Sequence, residues 1–578
     1  MQHLKLITAF LLTLFSGCAQ TTAQELAPVA TPAQHVLIVV MDGLRRDTVT
    51  PEQMPTLYAL SQQGVFFNAH HPVYPSSTQV NATALATGMK PANSNVVANR
   101  EYRPDLELLH PIDMNDEYYA WLSDNEKNTP FVHAPTLPEL AHEKGLTTVV
   151  AGTKAVALLW DRSYRNRSTS QPTLFEGMAI PSATLDPIIA DEGPFPSSVD
   201  QKYVVNTRRD IWTTRALTNT LWAERVPNLT VLWLYEPDFS QHGVGVGSKN
   251  AKLAYKSSDD RLKSVLDTLQ AKGLRDQTDI IVVSDHGFST VSRKVDVGDE
   301  LRKKGHFQAE TAWHKPLEKG YIIVNGLGGS VAFYIKERDE PTRQKLITFL
   351  QNSSFAGVIF TRDGFDGTFK LSDINIDSQD QPDVVIAMRW KDEVSEHGTK
   401  GTIISDGMER GQGMHVSLSR YDMANTLIAA GPHFRKGVVD DLPSGNSDVA
   451  PTLAHIMGIK PAKAMDGRVL SEALVDSSPP SGRPDTKILR TERKYFDEKN
   501  KTEKTWTQYL KITKFLGRAY FDEGNAGPPP QPGTSADSQR PIAHLQLREA
   551  HGFLQTKSPR HHHHHSAHYR RHHDLPDL

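Results

Sequence analysis

The seven residues HVLIVVM at positions 35–41 constrain this chain more than any other segment. They form an unbroken apolar run rich in β-branched side chains, and the run stops at Asp42-Gly43, a turn-forming pair. A strand exposed on one face alternates polar and apolar residues, so an unalternating run of this length reads as a parallel strand covered on both faces. Further strand-like runs at 147–151, 229–235 and 279–284 are separated by stretches with helical spacing. One of these, 55–63, ends at Gly64; another, 259–272, carries Leu262, Val265, Leu266 and Leu269 on one face and stops before Gly273. Strands alternating with helices predict an α/β core, a mostly parallel central sheet flanked by helices.

The pattern changes between Gly287 and Gly413. A strand at 331–336 and a helix at 342–350 are set among long polar stretches rich in Asp and Gly, which predicts an inserted cap over about 295–412. Core character returns at 423–431 and in a helix at 451–457. In the segment 476–525, Trp506, Tyr509, Leu510, Ile512 and Leu516 are read as the apolar face of a docked helical extension. From 526 to 578 the chain turns Pro/Gly/Ser-rich and then histidine-rich, and is expected to be disordered. Its run at 561–565 is a weak chelator or a cloning remnant and has no part in catalysis.

At the other end, Lys5, an apolar run at 6–15 and small residues near Gly17 read as an export signal over 1–24, too short to span a membrane comfortably. Cys18, the one cysteine, follows Phe15-Ser16-Gly17. It is either the lipid-bearing residue of a lipoprotein signal or part of an ordinary cleaved leader. The expected location is the bacterial periplasm or a membrane surface. With one cysteine, no intramolecular disulfide and no thiolate metal cluster can form, so any metal must be held by nitrogen and oxygen. The 64 basic residues nearly balance the 67 acidic ones, giving a formal charge of −3 and no broad basic surface for nucleic acid.

Three of the strand runs lead straight into acids and histidines: Asp42 in VMDG, Asp238 and His242 in EPDFSQHG, and Asp285 and His286 in VVSDHGF; His415 follows in GMHVS. Singly, most of these fragments are turns or solvated side chains. Together they sit where open α/β sheets bind ligands, beyond the carboxyl ends of strands. Aspartate oxygen and histidine nitrogen suit zinc, and a zinc pair is the standard means of clamping an anionic phosphoryl group while activating a nucleophile.

These segments, with MPTLYALSQQGVFF and HPVYPSSTQVNATALATGMKP, resemble the alkaline phosphatase superfamily, and within it the nucleotide pyrophosphatase/phosphodiesterase (type I phosphodiesterase) family, from about 36 to 470. The resemblance implies a catalytic domain over 25–475 that hydrolyses small phosphorylated substrates through a covalent phosphothreonine. It implies Thr78 as nucleophile and zinc ligand, although Ser76 and Ser77 are adjacent hydroxyls. It implies Asn99, in VVANR, as a donor to a phosphoryl oxygen. One Zn²⁺ is expected on Asp238, His242 and His415, and a second on Asp42, Asp285 and His286, with another divalent metal as the substitute. Lys154, just past the strand at 147–151, is expected to contact the substrate phosphate.

Nucleotide-cleaving relatives carry an aromatic residue after the nucleophile, where this chain has Gln79. That departure leaves a phosphomonoesterase or phosphonate hydrolase as the alternative, and an inactive zinc-binding surface protein as the alternative of another class. A phosphoethanolamine transferase would bring several membrane spans, and a sulfatase a Cys/Ser-x-Pro/Ala-x-Arg motif; neither is found.

Overall fold

The computed structural model describes residues 26–163, 171–197, 205–378, 380–497 and 500–529. The leader with Cys18 and the histidine-rich tail lie outside the described residues. Among the described residues the central sheet has nine strands: β1 (His35–Met41), β2 (Val65–Phe67), β3 (Thr148–Gly152), β4 (Thr173–Phe175), β5 (Met178–Ile180), β6 (Leu229–Leu234), β7 (Thr278–Val283), β8 (Leu427–Ala430) and β9 (Val438–Asp440). Their spatial order is β9-β2-β8-β7-β1-β6-β3-β4-β5. β1 lies in the middle, parallel to β7 with Val40 opposite Val283, and parallel to β6 with Val40 opposite Trp233. β3 continues the parallel set beside β6 and β4. β8 pairs antiparallel with β7 and β2, and β5 antiparallel with β4.

The unalternating β1 sequence is explained by what covers it. Val36, Ile38 and Val40 enter one core cluster with Val80, Leu85 and Leu453, from helices α2 (Thr78–Thr87) and α5 (Val449–Ile456). Leu37, Val39 and Met41 enter the other with Leu57, Leu60, Leu262 and Leu269, from helices α1 (Pro55–Gln63) and α4 (Lys249–Ala271). Burying each such aliphatic side chain contributes about 1.5–3 kcal/mol, so a charge on either face of β1 would cost the sheet its centre. α4 starts well before the helix read from sequence. Ser248 caps it, accepting from the Ala251 amide at 3.2 Å, and the polar-looking first turns bury Ala251, Ala254 and Tyr255.

Between β7 and β8 the chain forms a six-stranded sheet. Its spatial order is Ala309–Glu310, Ile322–Gly326, Ser330–Ile335, Val384–Met388, Ala356–Thr361 and Phe369–Lys370. The helix Glu340–Gln351 packs against it. Beside it lies a four-stranded sheet in which Gly413–Met414 pairs antiparallel with Ser289–Val295, drawing His415 back to the end of β7.

The segment after residue 476 is not helical. Asp485–Asp497, Thr502–Phe515 and Arg518–Ala526 form a three-stranded antiparallel sheet. Trp506, Gln508, Leu510 and Ile512 are buried at every second position, and Tyr509 is buried on the opposite face. The spacing 506, 509, 510 imitates a helix, but a strand buried partly on both faces produces it too, and the Thr and aromatic content favours the strand. Gln508 docks this sheet on the inserted one: its Oε1 accepts from the Ile359 amide at 2.8 Å and its Nε2 donates to the Ile359 carbonyl at 3.1 Å. No helix among the described residues is long and apolar enough to cross a membrane.

Candidate metal centre and nucleophile

The ends of β1, β6 and β7 bring the acids together. Asp42 follows β1 directly, and Gly43 turns the chain at φ 73°, a left-handed value that suits glycine. The Gly43 amide then donates to Asp285 Oδ1 at 3.0 Å. Asp238 opens helix α3 (Asp238–Val244), which places His242 one turn further along, its Nε2 3.3 Å from Asp238 Oδ1.

Each carboxylate has one oxygen tied down and one left over. Asp42 Oδ2 accepts from Trp233 Nε1 at 2.9 Å and Lys154 Nζ at 3.0 Å, and Asp238 Oδ2 accepts from Lys154 Nζ at 2.9 Å. Asp285 Oδ1 accepts the amides of Gly43 and His286, at 3.0 and 3.1 Å. The other oxygens, Asp42 Oδ1, Asp238 Oδ1 and Asp285 Oδ2, are buried without a hydrogen-bond donor among the described residues. Leaving such atoms unpaired in a protein interior is costly, and a cation is the partner that removes the cost.

The histidines complement them. Nδ1 of His286 donates to the Gly287 carbonyl at 2.9 Å, Nδ1 of His415 to the Ser76 carbonyl at 2.8 Å, and Nδ1 of His242 to the Gly413 carbonyl at 3.0 Å. A carbonyl only accepts, so all three rings carry a proton on Nδ1 and turn Nε2 inward. Backbone bonds of this kind fix the ring orientation of metal-binding histidines. His286 and His415 stack with centroids 3.4 Å apart.

Ligand atoms of Asp238, His286 and His415 lie within 4.8 Å of one another, as do those of Asp42, Asp285 and His286. The second group is the set that the resemblance implies for one ion; His286 belongs to both groups, and His242 borders the first through Asp238. Burial, followed by the charges of Asp238 and Asp285, raises the Asp42 carboxyl well above the usual range. Burial, followed by the neighbouring His286 and His242, holds His415 far below an ordinary histidine, hence neutral. Burial opposes a charge on His286, but Asp285, Asp42 and Asp238 outweigh it and raise its pKa to about 9. Three buried carboxylates that leave Asp42 reluctant to ionise and draw a proton onto His286 are a donor set short of positive charge. The residues fit a pair of divalent cations.

Thr78 is the first residue of α2, and its Oγ1 lies 3.3 Å from His286 Nε2. Of its rivals, Ser76 directs its hydroxyl to the Ser417 carbonyl at 3.5 Å, and the Ser77 hydroxyl is buried without a hydrogen-bond partner among the described residues. Asn99 reaches the same helix end, its Oδ1 accepting from the Gln79 amide at 2.9 Å. Lys154 has partners other than the one read from sequence. Its ammonium bridges the second oxygens of Asp42 and Asp238 under the Tyr235 ring, 4.6 Å from the centroid.

Several contributors left no local mark in the sequence. Trp233 reaches Asp42 because β6 pairs beside β1 in that register. Asp210 holds the turn before Asp238, accepting from the Tyr235 amide at 2.8 Å and the Glu236 amide at 3.1 Å. Val416, next to His415, is a buried β-branched residue at φ 74°. Its carbonyl accepts from Ser330 Oγ at 2.5 Å, Ser330 also pairs with Tyr74 OH at 2.8 Å, and the following Ser417 amide donates to Asp422 at 3.0 Å. Such a backbone costs about 1–3 kcal/mol for a residue with a Cβ, against about 0.5–1 kcal/mol for ordering a glycine. Glycine would relieve that strain but remove a core side chain whose burial contributes about 1.5–3 kcal/mol, so the two effects oppose. Val416→Gly is expected to lower the thermal midpoint less than Val→Gly at an unstrained buried position such as Val385; an equal loss at both positions would show that Val416 is not strained.

A family model described as "Type I phosphodiesterase / nucleotide pyrophosphatase" matches residues 36–415. A venom phosphodiesterase of Macrovipera lebetinus is 23% identical over 283 residues, 48% of this chain and 28% of its own length. The bis(5'-adenosyl)-triphosphatase of Mus musculus is 22% identical over 439 residues, 74% of this chain and 78% of its own. The chain thus spans under a third of the venom enzyme and most of the triphosphatase. Among solved structures, murine ectonucleotide pyrophosphatase/phosphodiesterase 5, in an inactive variant in complex with AMP, matches with a TM-score of 0.54 at 19% identity. That match covers 76% of this chain and 100% of that one.

Proposed function

Because this chain belongs to the type I phosphodiesterase/nucleotide pyrophosphatase family, within the alkaline phosphatase superfamily, we propose that it is an exported, metal-dependent hydrolase of phosphate esters or anhydrides. The observation that carries this reading is the convergence of three donorless carboxylate oxygens and three inward-facing imidazole nitrogens beside the Thr78 hydroxyl. Asp42, Asp238, His242, Asp285, His286 and His415 would hold two divalent ions, zinc by donor chemistry, which when bound supply positive charge that favours ionised Thr78 and shields the phosphoryl oxygens. Thr78 Oγ attacks phosphorus, the bond from phosphorus to the leaving oxygen breaks, and a phosphothreonine results. Water hydrolyses it and regenerates Thr78. The N-terminal end of α2 faces the phosphoryl group with its positive dipole end. Asn99, its Oδ1 committed to α2, offers Nδ2 to a non-bridging oxygen.

Lys154 favours a diester over a monoester as substrate. Its charge is matched by two carboxylates, so it holds ligands in place and adds little net attraction for a dianion. At equal leaving group the zinc-loaded protein is expected to cleave an aryl phosphodiester with kcat/KM at least about tenfold above the corresponding monoester, a difference of about 1.4 kcal/mol. The reverse order would make it a phosphomonoesterase, and no turnover of either ester, of phosphonates or of nucleotides would favour a binding protein. Gln79, buried beside Thr78, supplies no ring for stacking a base, so recognition of a nucleoside at that position is not part of the proposal.

A further inference from the structure

The loop that delivers Asn99 is held by a buried carboxylate to which the mechanism gives no part. Glu101 is 4% exposed, and its Oε1 accepts from two successive backbone amides, Val97 at 2.6 Å and Ala98 at 3.2 Å. Both amides belong to buried residues, so without Glu101 they would be left unpaired in the interior. On the far side of the loop, the Asn99 carbonyl accepts from the Met114 amide at 2.9 Å, and Glu101 itself pairs antiparallel with Ile112. The loop is thus clamped from both ends, with Asn99 between the clamps.

The clamp has a directional consequence. A planar amide whose Oδ1 is committed to the Gln79 amide must turn Nδ2 the other way, and Nδ2 has no acceptor among the described residues. That group is the one available to a phosphoryl oxygen above Thr78. A carboxylate is an expensive way to hold a loop: the nearest cation, Arg103, is 4.0 Å away, and burial raises the Glu101 pKa to about 7. A neutral turn residue would serve folding alone at lower cost.

We propose that Glu101 is a positioning residue for the reaction, fixing the 97–99 loop so that the Asn99 amide meets the transition state in one orientation. The inference rests on the proposed role of Asn99. It is tested on the zinc-loaded full-length protein with an aryl phosphodiester, using Glu101→Ala, Glu101→Gln, Asn99→Ala and the Asn99→Ala/Glu101→Ala double variant, with thermal midpoints measured alongside. Glu101→Ala is expected to lower kcat about tenfold with KM within about twofold, as a misplaced transition-state donor does. Glu101→Gln, which keeps an acceptor for the two amides, recovers most of kcat. In the Asn99→Ala background the Glu101→Ala change costs less than about twofold, because the group it positions is gone.

Equal losses from Glu101→Ala in both backgrounds would overturn the proposal and leave Glu101 a general structural residue. If Glu101→Ala fails to fold, Glu101→Asp, one methylene too short to reach both amides, decides: tested with and without Asn99, a kcat loss confined to the background that retains Asn99 supports the proposal, and no loss or equal losses refute it. Asn99→Ala with unchanged kcat would instead overturn the role of Asn99, and this inference with it. Failure of the wild type on all phosphoesters would overturn the enzyme reading as a whole.

Discussion

Thr78→Ala lowers turnover by about 10⁴-fold or more, while the protein keeps its fold and its bound metal. The size of the effect follows from the reaction proposed: without Oγ1 no phosphothreonine forms, and the remaining route is direct attack by water in a site not arranged for it. Metal retention follows from geometry, because the six Asp and His ligands are oriented by bonds that do not involve Thr78: backbone carbonyls on each Nδ1, and Lys154, Trp233 and amides on the carboxylates. Ser77→Ala is the control, since its hydroxyl is buried next door; it should retain turnover within about threefold, a change of under 1 kcal/mol. Trapping the phosphorylated residue by acid quench and locating it by peptide mass would check the assignment directly. A Ser77 phosphopeptide, or a Thr78→Ala protein of near-normal rate, would refute it.

Stripping the metal has the second large effect, on both rate and stability. Chelation should abolish turnover, and added zinc should restore it. The stability change carries a sign that depends on pH. In the metal-free protein the raised Asp42 carboxyl makes the folded state bind more protons than the unfolded chain above pH ~4, so stability falls as pH rises through that window. In the zinc-loaded protein, rising pH frees the carboxylates and imidazoles for the metal, so binding adds stability as pH rises, opposite to the fall in the metal-free form. Glu101, Asp210 and Glu236, whose carboxyls burial raises to about 7, about 7 and about 8, add the same pH slope to both forms. The difference between the two curves therefore isolates the metal centre, and it should widen from pH 5 to pH 8. Parallel curves would mean that the Asp/His cluster does not hold the metal. Calorimetric melts of chelated and reconstituted protein across that range supply the measurement.

Much of this was written locally along the chain. The β1 run, with both faces apolar, announced a strand in the middle of a parallel sheet, because a strand covered by helices on both sides has no face on which to place polar residues. A parallel sheet in turn gathers strand ends on one edge, so acids and histidines placed just after strand runs at 35–41, 229–235 and 279–284 had to meet whatever the details of the loops. The same locality failed after residue 476. There, burial on both faces of a strand blurred the alternation that separates it from a helix, and its partners on either side, Asp485–Asp497 and Arg518–Ala526, could not be read from the strand itself.

What only the tertiary structure decided are the contacts between elements far apart in sequence. Lys154 read as a cation for substrate, because a residue at a strand end faces the crevice; that its ammonium is spent on Asp42 and Asp238 depends on β3, β1 and β6 lying in one order and register. His286 stands between both ligand groups because Gly413–Met414 folds back onto Ser289–Val295 and stacks His415 on it. Val416 is held left-handed by Ser330 of the inserted sheet, and Asn99 by the carboxylate of Glu101. The sequence by itself determined the sheet, the residues that ring its edge and the class of chemistry they can perform, since burial pattern and donor type are properties of each segment. The fold alone decided how those residues are oriented, because orientation is set by the partner across the gap, and no segment carries a record of its partner.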